Sequence, residues 1–158
     1  MLKAPDPIVL KEQSPVLLVE DSSDDVLLIQ RAFRQAKIAN PLHILSDGEA
    51  SLAYLSSQEP YIDRAQHPLP ILILLDLKLP RKSGLEVLAW LRAQPLLKRL
   101  PVVVLTSSAE QPDIAKAYDL GANSYLTKPV QFNDLLEMVK TLGLYWLLLN
   151  EPPSLESA

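Results

Sequence analysis

A chain of 158 residues suits one domain, which by size scaling buries roughly 70% of the surface its unfolded form exposes. Hydrophobic residues make up 48% and charged residues 22%, a globular balance, and a formal charge of -4 gives nucleic acid no general attraction. The absence of cysteine excludes a disulfide framework, a thiolate nucleophile and a cysteine zinc site, and fits a cytoplasmic location.

Met1 to Pro7 has no apolar stretch of the signal-peptide kind, and no run reaches the roughly 18 apolar residues of a membrane span. Pro15 precedes Val16-Leu17-Leu18-Val19, which reads as a buried parallel strand ended by Glu20-Asp21. Ser22, with Asp25 three residues on, is a capping signal for a helix whose inner stripe is Val26, Ile29 and Phe33, with Ala36 at its end. Pro41 to Leu45 reads as a short strand and Gly48 to Leu55 as a helix. The proline-punctuated stretch Gln58–Pro70 leads to Ile71-Leu72-Ile73-Leu74-Leu75, the strongest strand signal, which stops at Asp76.

Pro80 to Gly84 forms a turn before a helix carrying Leu85, Val87, Leu88 and Leu91. Pro101 opens the strand Val102-Val103-Val104-Leu105, ended by Thr106. Ile114, Ala117 and Tyr118 lie on a helix that Gly121 terminates. Ser124-Tyr125-Leu126 is a short last strand before Thr127-Lys128-Pro129, and a final helix runs from near Asn133 through Leu149. Short strands alternating with helices predict an α/β fold, a doubly wound parallel sheet with helices on both faces.

Candidate chemistry sits at the strand ends. If the first and third strands are neighbours, Glu20, Asp21 and Asp76 converge in one crevice, where their mutual repulsion calls for a cation. Oxygen ligands without histidine or cysteine favour a hard ion such as Mg²⁺. Thr106 offers a hydroxyl and Lys128 an ammonium at the ends of the next strands, a set that suits phosphoryl transfer better than acyl or hydride chemistry. Taken singly, each has a bland reading: Glu20-Asp21 as a solvated helix entry, Asp76 as a turn residue, Thr106 as a cap, Lys128 as a surface lysine and Tyr125 as a packed aromatic. Their joint register carries the assignment. His43 and His67 read as a strand and a loop residue, and Lys98-Arg99 near Arg92 as a solvated face.

Val16-Leu17-Leu18-Val19-Glu20-Asp21, Leu74-Leu75-Asp76-Leu77-Lys78-Leu79-Pro80 with Gly84, Val104-Leu105-Thr106-Ser107, and Gly121-Ala122 with Tyr125-Leu126-Thr127-Lys128-Pro129 resemble the successive signatures of bacterial two-component response-regulator receiver domains. The resemblance spans Pro15 to Leu142. It implies the flavodoxin-like (βα)5 fold with strand order 2-1-3-4-5, a receiver over 15–149 with an extended C-terminal helix, an N-terminal lead over 1–14 and a tail over 150–158.

By matched position, Asp76 resembles the family's phosphoacceptor, fed by a sensor histidine kinase, and the phosphoprotein turns over no metabolite beyond slow autodephosphorylation. Asp21, Asp76 and the Lys78 backbone carbonyl would hold Mg²⁺, or Mn²⁺ as a substitute, with Glu20 acting through water. Lys128 and Thr106 would meet the phosphoryl oxygens, and Thr106 with Tyr125 would form the switch. The resemblance also implies a cis peptide between Lys128 and Pro129. Lys78 and Ser108 flank the expected path of hydrolytic water, and neither is a carboxylate able to activate it, so a long-lived phosphoryl group is expected.

Other enzymes fail at particular residues. Haloacid-dehalogenase-type phosphatases need a second acid where Lys78 stands, and nucleotide sites need a glycine-rich loop where this chain has Glu20 to Asp25. A receiver-shaped scaffold that signals without phosphate is the remaining competitor. The residues after Leu149 leave no room for a DNA-binding effector domain, so output is expected through protein contacts. The apolar segment Leu142 to Leu149 exceeds one helix stripe, and either wraps on the domain's own core or forms a homodimer face. That face would use Ile114, Tyr118, Leu142, Tyr145 and Trp146, on the fourth helix, fifth strand and fifth helix. The Gln58–Pro70 lead, Leu96 to Pro101 and the Trp146 tail are similar to the small single-domain response regulators of cyanobacterial phytochromes, which implies a phytochrome-type kinase as partner.

Overall fold

The computed structural model describes residues 11–156. In chain order these form β1 (Val16–Val19), α1 (Ser23–Gln35), β2 (Leu42–Leu45), α2 (Gly48–Leu55), β3 (Leu72–Leu75), α3 (Gly84–Arg92), β4 (Val102–Thr106), α4 (Gln111–Asp119), β5 (Ser124–Thr127) and α5 (Phe132–Leu142). Short 3-10 turns cover Lys11–Gln13 and Leu97–Arg99. The five strands are parallel in the order β2-β1-β3-β4-β5, the predicted doubly wound topology. No helix among the described residues is long and apolar enough to cross a membrane.

Burial explains why the strand runs carried no alternation. Val16 to Val19, Leu72 to Leu75 and Val102 to Leu105 are all within 2% of fully buried, because helices cover both faces of the sheet. Leu17, Val19, Ile73, Leu75, Val102 and Val104 pack toward α2, α3 and α4. The intervening Val16, Leu18, Leu72, Leu74, Val103 and Leu105 pack toward α1 and α5. Each such side chain contributes roughly 1.5–3 kcal/mol of burial.

The helix ends follow local chemistry. Ser22 caps α1 by accepting from the Asp25 amide, Asp47 caps α2 through the Ala50 amide, and Ser83 forms a capping box with Glu86 on α3. Gly121 follows the last residues of α4 at φ +101°, the left-handed conformation predicted from its position after the apolar stripe. Downstream, the structure departs from one continuous final helix. Winding continues past Leu142 but widens into a π-helical segment, Gly143–Leu149, closed by the Asn150 amide donating to the Tyr145 carbonyl at 2.7 Å. The chain passes Ile38 closely at Gly143, where a Cβ would lie 3.1 Å from the Ile38 Cδ1.

Lys98 and Arg99 are exposed, as a solvated face requires, but the neighbouring Arg92 is not. It is half-buried at the end of α3, donating to the carbonyls of Gly121 (2.9 Å), Lys98 (2.9 Å) and Leu100 (2.8 Å) and to Asn123 Oδ1 (3.0 Å). These acceptors end or precede strands and helices and lack ladder partners, so one planar guanidinium satisfies several orphan carbonyls. Arg64 plays a similar part in the long connection to β3, donating to the carbonyls of Tyr54, Leu55 and His67. The Tyr54 hydroxyl donates to the Pro68 carbonyl and meets His43 Nδ1 at 2.9 Å, tying that connection to β2.

Candidate functional site

Parallel register lines up four strand exits at one end of the sheet. Val19 pairs with Leu75 and Thr106 with Thr127, so Glu20 and Asp21, Asp76, Thr106 and Lys128 emerge side by side beyond β1, β3, β4 and β5. The topological reversal falls between β1 and β3, where such sheets open a crevice. Backbone bonds hold the exits together: the Asp76 amide donates to the Val19 carbonyl at 3.1 Å, and the Lys128 amide to the Thr106 carbonyl at 2.7 Å.

Glu20, Asp21 and Asp76 each offer a carboxylate oxygen within 4.8 Å of the others. Glu20 and Asp76 are buried and Asp21 is exposed at the mouth. Three anions this close repel one another, and an all-oxygen donor set fits a hard divalent ion, Mg²⁺ or Mn²⁺. Burial raises the Glu20 carboxyl to about 7, against the opposing pull of its Lys128 and Ser22 hydrogen bonds. The Lys128 ammonium, 13% exposed, donates to Glu20 at 2.7 Å, Asp25 at 3.0 Å and Asp76 at 3.3 Å. Burial alone would lower its pKa, but the bonds to Glu20 and Asp25 and the charge on Asp76 outweigh that and hold it raised.

Asp76 Oδ1 accepts from the Leu77 amide at 2.8 Å, which leaves Oδ2 facing the lysine. Behind it Gly84 approaches so closely that a Cβ there would fall 2.1 Å from the Asp76 carbonyl oxygen. Thr106 is fully buried, and its hydroxyl has no hydrogen-bond partner among the described residues. A buried, unpaired hydroxyl costs about 1–3 kcal/mol, which an incoming anion would relieve. Tyr125 is half-buried, and its hydroxyl donates to the Ser108 carbonyl at 2.8 Å on the β4–α4 loop. Burial pushes the phenol up, as do Asp113, Asp76 and Glu110, while the Ser108 side chain pulls the other way. Lys78 stands exposed on the turn after β3.

Two expectations need correction. The peptide before Pro129 is trans, and the one cis bond among the described residues precedes Pro60. Trans is the lower-energy form before proline by about 0.5–1 kcal/mol, and Lys128 reaches its three carboxylates with it. Leu142, expected on a contact face, is 7% exposed and belongs to the core beneath α5. It meets solvent only as the floor of a groove of about 410 Å³ shared with Leu126, Met138, Tyr145 and Trp146. Tyr118 and Tyr145 are half-exposed, at 50% and 51%, whereas Ile114 and Trp146 are half-buried.

Asp25 is the site residue that sequence reasoning missed, having been used only as a helix cap. Its amide does bond the Ser22 hydroxyl, but its carboxylate also reaches Lys128. The available signal was its place in the first turn of a helix that starts directly after Glu20-Asp21, and so overhangs the crevice.

Comparison with known proteins agrees with this geometry. The family model of the response regulator receiver domain matches residues 16–140. The response regulator Rcp1 of Synechocystis sp. is 46% identical over 132 residues, 84% of this chain and 88% of that protein. A probable methanogenesis regulatory protein, FilR2 of Methanothrix harundinacea, is 39% identical over 97% of this chain and 92% of its own length. Among solved structures, the phosphorylated cyanobacterial phytochrome response regulator RcpA superposes with a TM-score of 0.82 at 40% identity, covering 90% of this chain and 99% of that one. The Mn²⁺-bound form of Rcp1 does so with a TM-score of 0.80 at 44% identity, covering 89% and 99%. The chain belongs to the response-regulator receiver domain family, related to phytochrome-associated members.

Proposed function

We propose that Asp76 accepts a phosphoryl group from the phosphohistidine of a phytochrome-type sensor kinase, and that the domain passes the signal on through protein contacts. The observation that carries this is the gathering of Asp76, an acidic pair and Lys128 around one point, beside the unpartnered hydroxyl of Thr106. An Asp76 oxygen attacks phosphorus, the phosphorus–nitrogen bond breaks, and neutral imidazole leaves after gaining a proton, so an acyl phosphate replaces a phosphoramidate. Asp21, Asp76 and the Lys78 carbonyl would hold a divalent ion, with Glu20 acting through water, and that ion would supply charge neutralisation on the transferred oxygens. Lys128 meets one phosphoryl oxygen and the Thr106 hydroxyl donates to another.

Drawing Thr106 toward phosphate empties space beside β5, and Tyr125 turns inward and releases the Ser108 carbonyl. Without a carboxylate at Lys78 or Ser108 to activate water, the acyl phosphate is long-lived. Output passes across α4, β5 and α5 to a second copy of the chain, with Tyr118, Tyr145 and Trp146 as anchors and Ile114 beside them. This reading gives the receiver residues 15–149 and a cytoplasmic setting, where its kinase partner presents phosphohistidine.

Phosphotransfer from candidate kinases and from acetyl phosphate to wild type and Asp76→Asn tests the acceptor. Labelling of wild type that disappears in the variant is expected. Persistent labelling of the variant would remove Asp76 from this role, and an unlabelled wild type would favour a scaffold that signals without phosphate. Sedimentation with and without beryllofluoride tests the dimer, and a strict monomer in both states would sink it.

A further inference from the structure

We infer that Asp25 competes with the phosphoryl group for Lys128 and so sets how readily the site switches; the inference rests on Asp76 being the acceptor. An ammonium has three N–H donors. Here three carboxylates take them, Glu20 at 2.7 Å, Asp25 at 3.0 Å and Asp76 at 3.3 Å, so the lysine has no donor left for a new anion. To meet a phosphoryl oxygen it must let one carboxylate go. Glu20 and Asp76 belong with Asp21 to the cluster placed to hold a cation, whereas Asp25 lies outside it. A bound cation therefore neutralises every acid around the lysine except Asp25.

Asp25 is also the partner suited to release. Its side chain is 37% exposed, against 2% for Glu20 and 8% for Asp76, so water screens its bond to the lysine most. Its backbone is fixed by the Ser22 cap in the first turn of α1, so the carboxylate cannot follow the ammonium toward Asp76. Before phosphorylation Asp25 holds Lys128 back, and afterwards it loses the lysine to the more highly charged phosphoryl oxygens.

The test uses the full chain with Mg²⁺ and beryllofluoride as the phosphoryl mimic. Calorimetry should show Asp25→Asn binding the mimic about fivefold more tightly than wild type, the scale of one partly exposed charge pair. Asp25→Ser should move the same way, which separates loss of charge from a local helix effect. The Lys128 ammonium ¹⁵N resonance should differ between Asp25→Asn and wild type without the mimic and coincide once both are saturated. Unchanged or weaker binding in the neutral variants, or resonances still apart at saturation, would overturn the competition. Asp76→Asn separates the two levels: if it abolishes mimic binding while Asp25→Asn changes nothing, only the role of Asp25 falls. If Asp76→Asn still binds the mimic, the acceptor assignment itself is wrong.

Discussion

Replacing Thr106 by valine should stabilise the resting protein while weakening its response to a phosphoryl group. The side chain is fully buried and its hydroxyl finds no partner among the described residues, so the folded state carries an unmet hydrogen-bonding group. Leaving such a group unsatisfied costs about 1–3 kcal/mol, and a methyl of nearly the same size removes that cost and adds apolar contact. A gain of about 1–2 kcal/mol is expected, which for a domain of this length raises the melting temperature by roughly 3–6 °C. With a phosphoryl mimic bound that gain is offset. The lost bond to an anionic oxygen is worth about 1.5–3 kcal/mol, a ten- to hundredfold loss of beryllofluoride affinity. Thermal and urea unfolding with and without Mg²⁺ and beryllofluoride measure both halves. A Thr106→Val protein that melts at or below wild type without the mimic, or binds it equally well, would show that the hydroxyl is not waiting for an anion.

Glu20 predicts a pH dependence of cation binding. With its carboxyl raised to about 7 by burial, Mg²⁺ must displace a proton below that pH, so titration should find affinity about tenfold lower at pH 6 than at pH 8. In the metal-free protein the same shift means the folded form holds its proton more tightly than the unfolded chain. Glu20 therefore contributes most stability below 4.5 and loses it as pH rises through about 7, which melting in chelator across that window checks. Gly84→Ala would drive a methyl to 2.1 Å from the Asp76 carbonyl oxygen, so urea unfolding should show a loss of about 2–3 kcal/mol, with beryllofluoride binding weakened as the acceptor backbone shifts. Arg92→Lys keeps the charge but cannot span the carbonyls of Gly121, Lys98 and Leu100, and should cost about 2–3 kcal/mol by the same assay.

The strand exits were legible because each apolar run stops at a polar residue, and alternation with helices implied that those ends share an edge of the sheet. Which exits are neighbours needed the register, which joins Val19 to Leu75 and Thr106 to Thr127. The contacts of the Asp25 carboxylate and of Arg92 were missed for one reason: both look like ordinary helix-surface charges, and only the arrangement of distant elements decides what they touch. Lys128 lies more than a hundred positions from Asp25, and two acceptors of Arg92, Gly121 and Asn123, lie beyond the next strand and helix. Leu142 failed differently. In an almost wholly apolar segment, sequence cannot say which residues face inward, and the π-helical winding after it breaks the 3.6-residue phase needed to guess.

The Arg92 bonds lie at the pole of the sheet opposite the crevice and fix the chain at Gly121, just beyond the end of α4. The start of α4 is tethered more lightly: no side chain caps it, and its preceding loop is held by the Tyr125 and Ser108 bonds. A helix pinned at its tail and loosely latched at its head behaves as a lever. A small displacement of the loop beyond Thr106 would swing α4 about Gly121, sweeping its first turn furthest while leaving the far pole still. A dimer assembled on α4 would then sense an angle more than a distance.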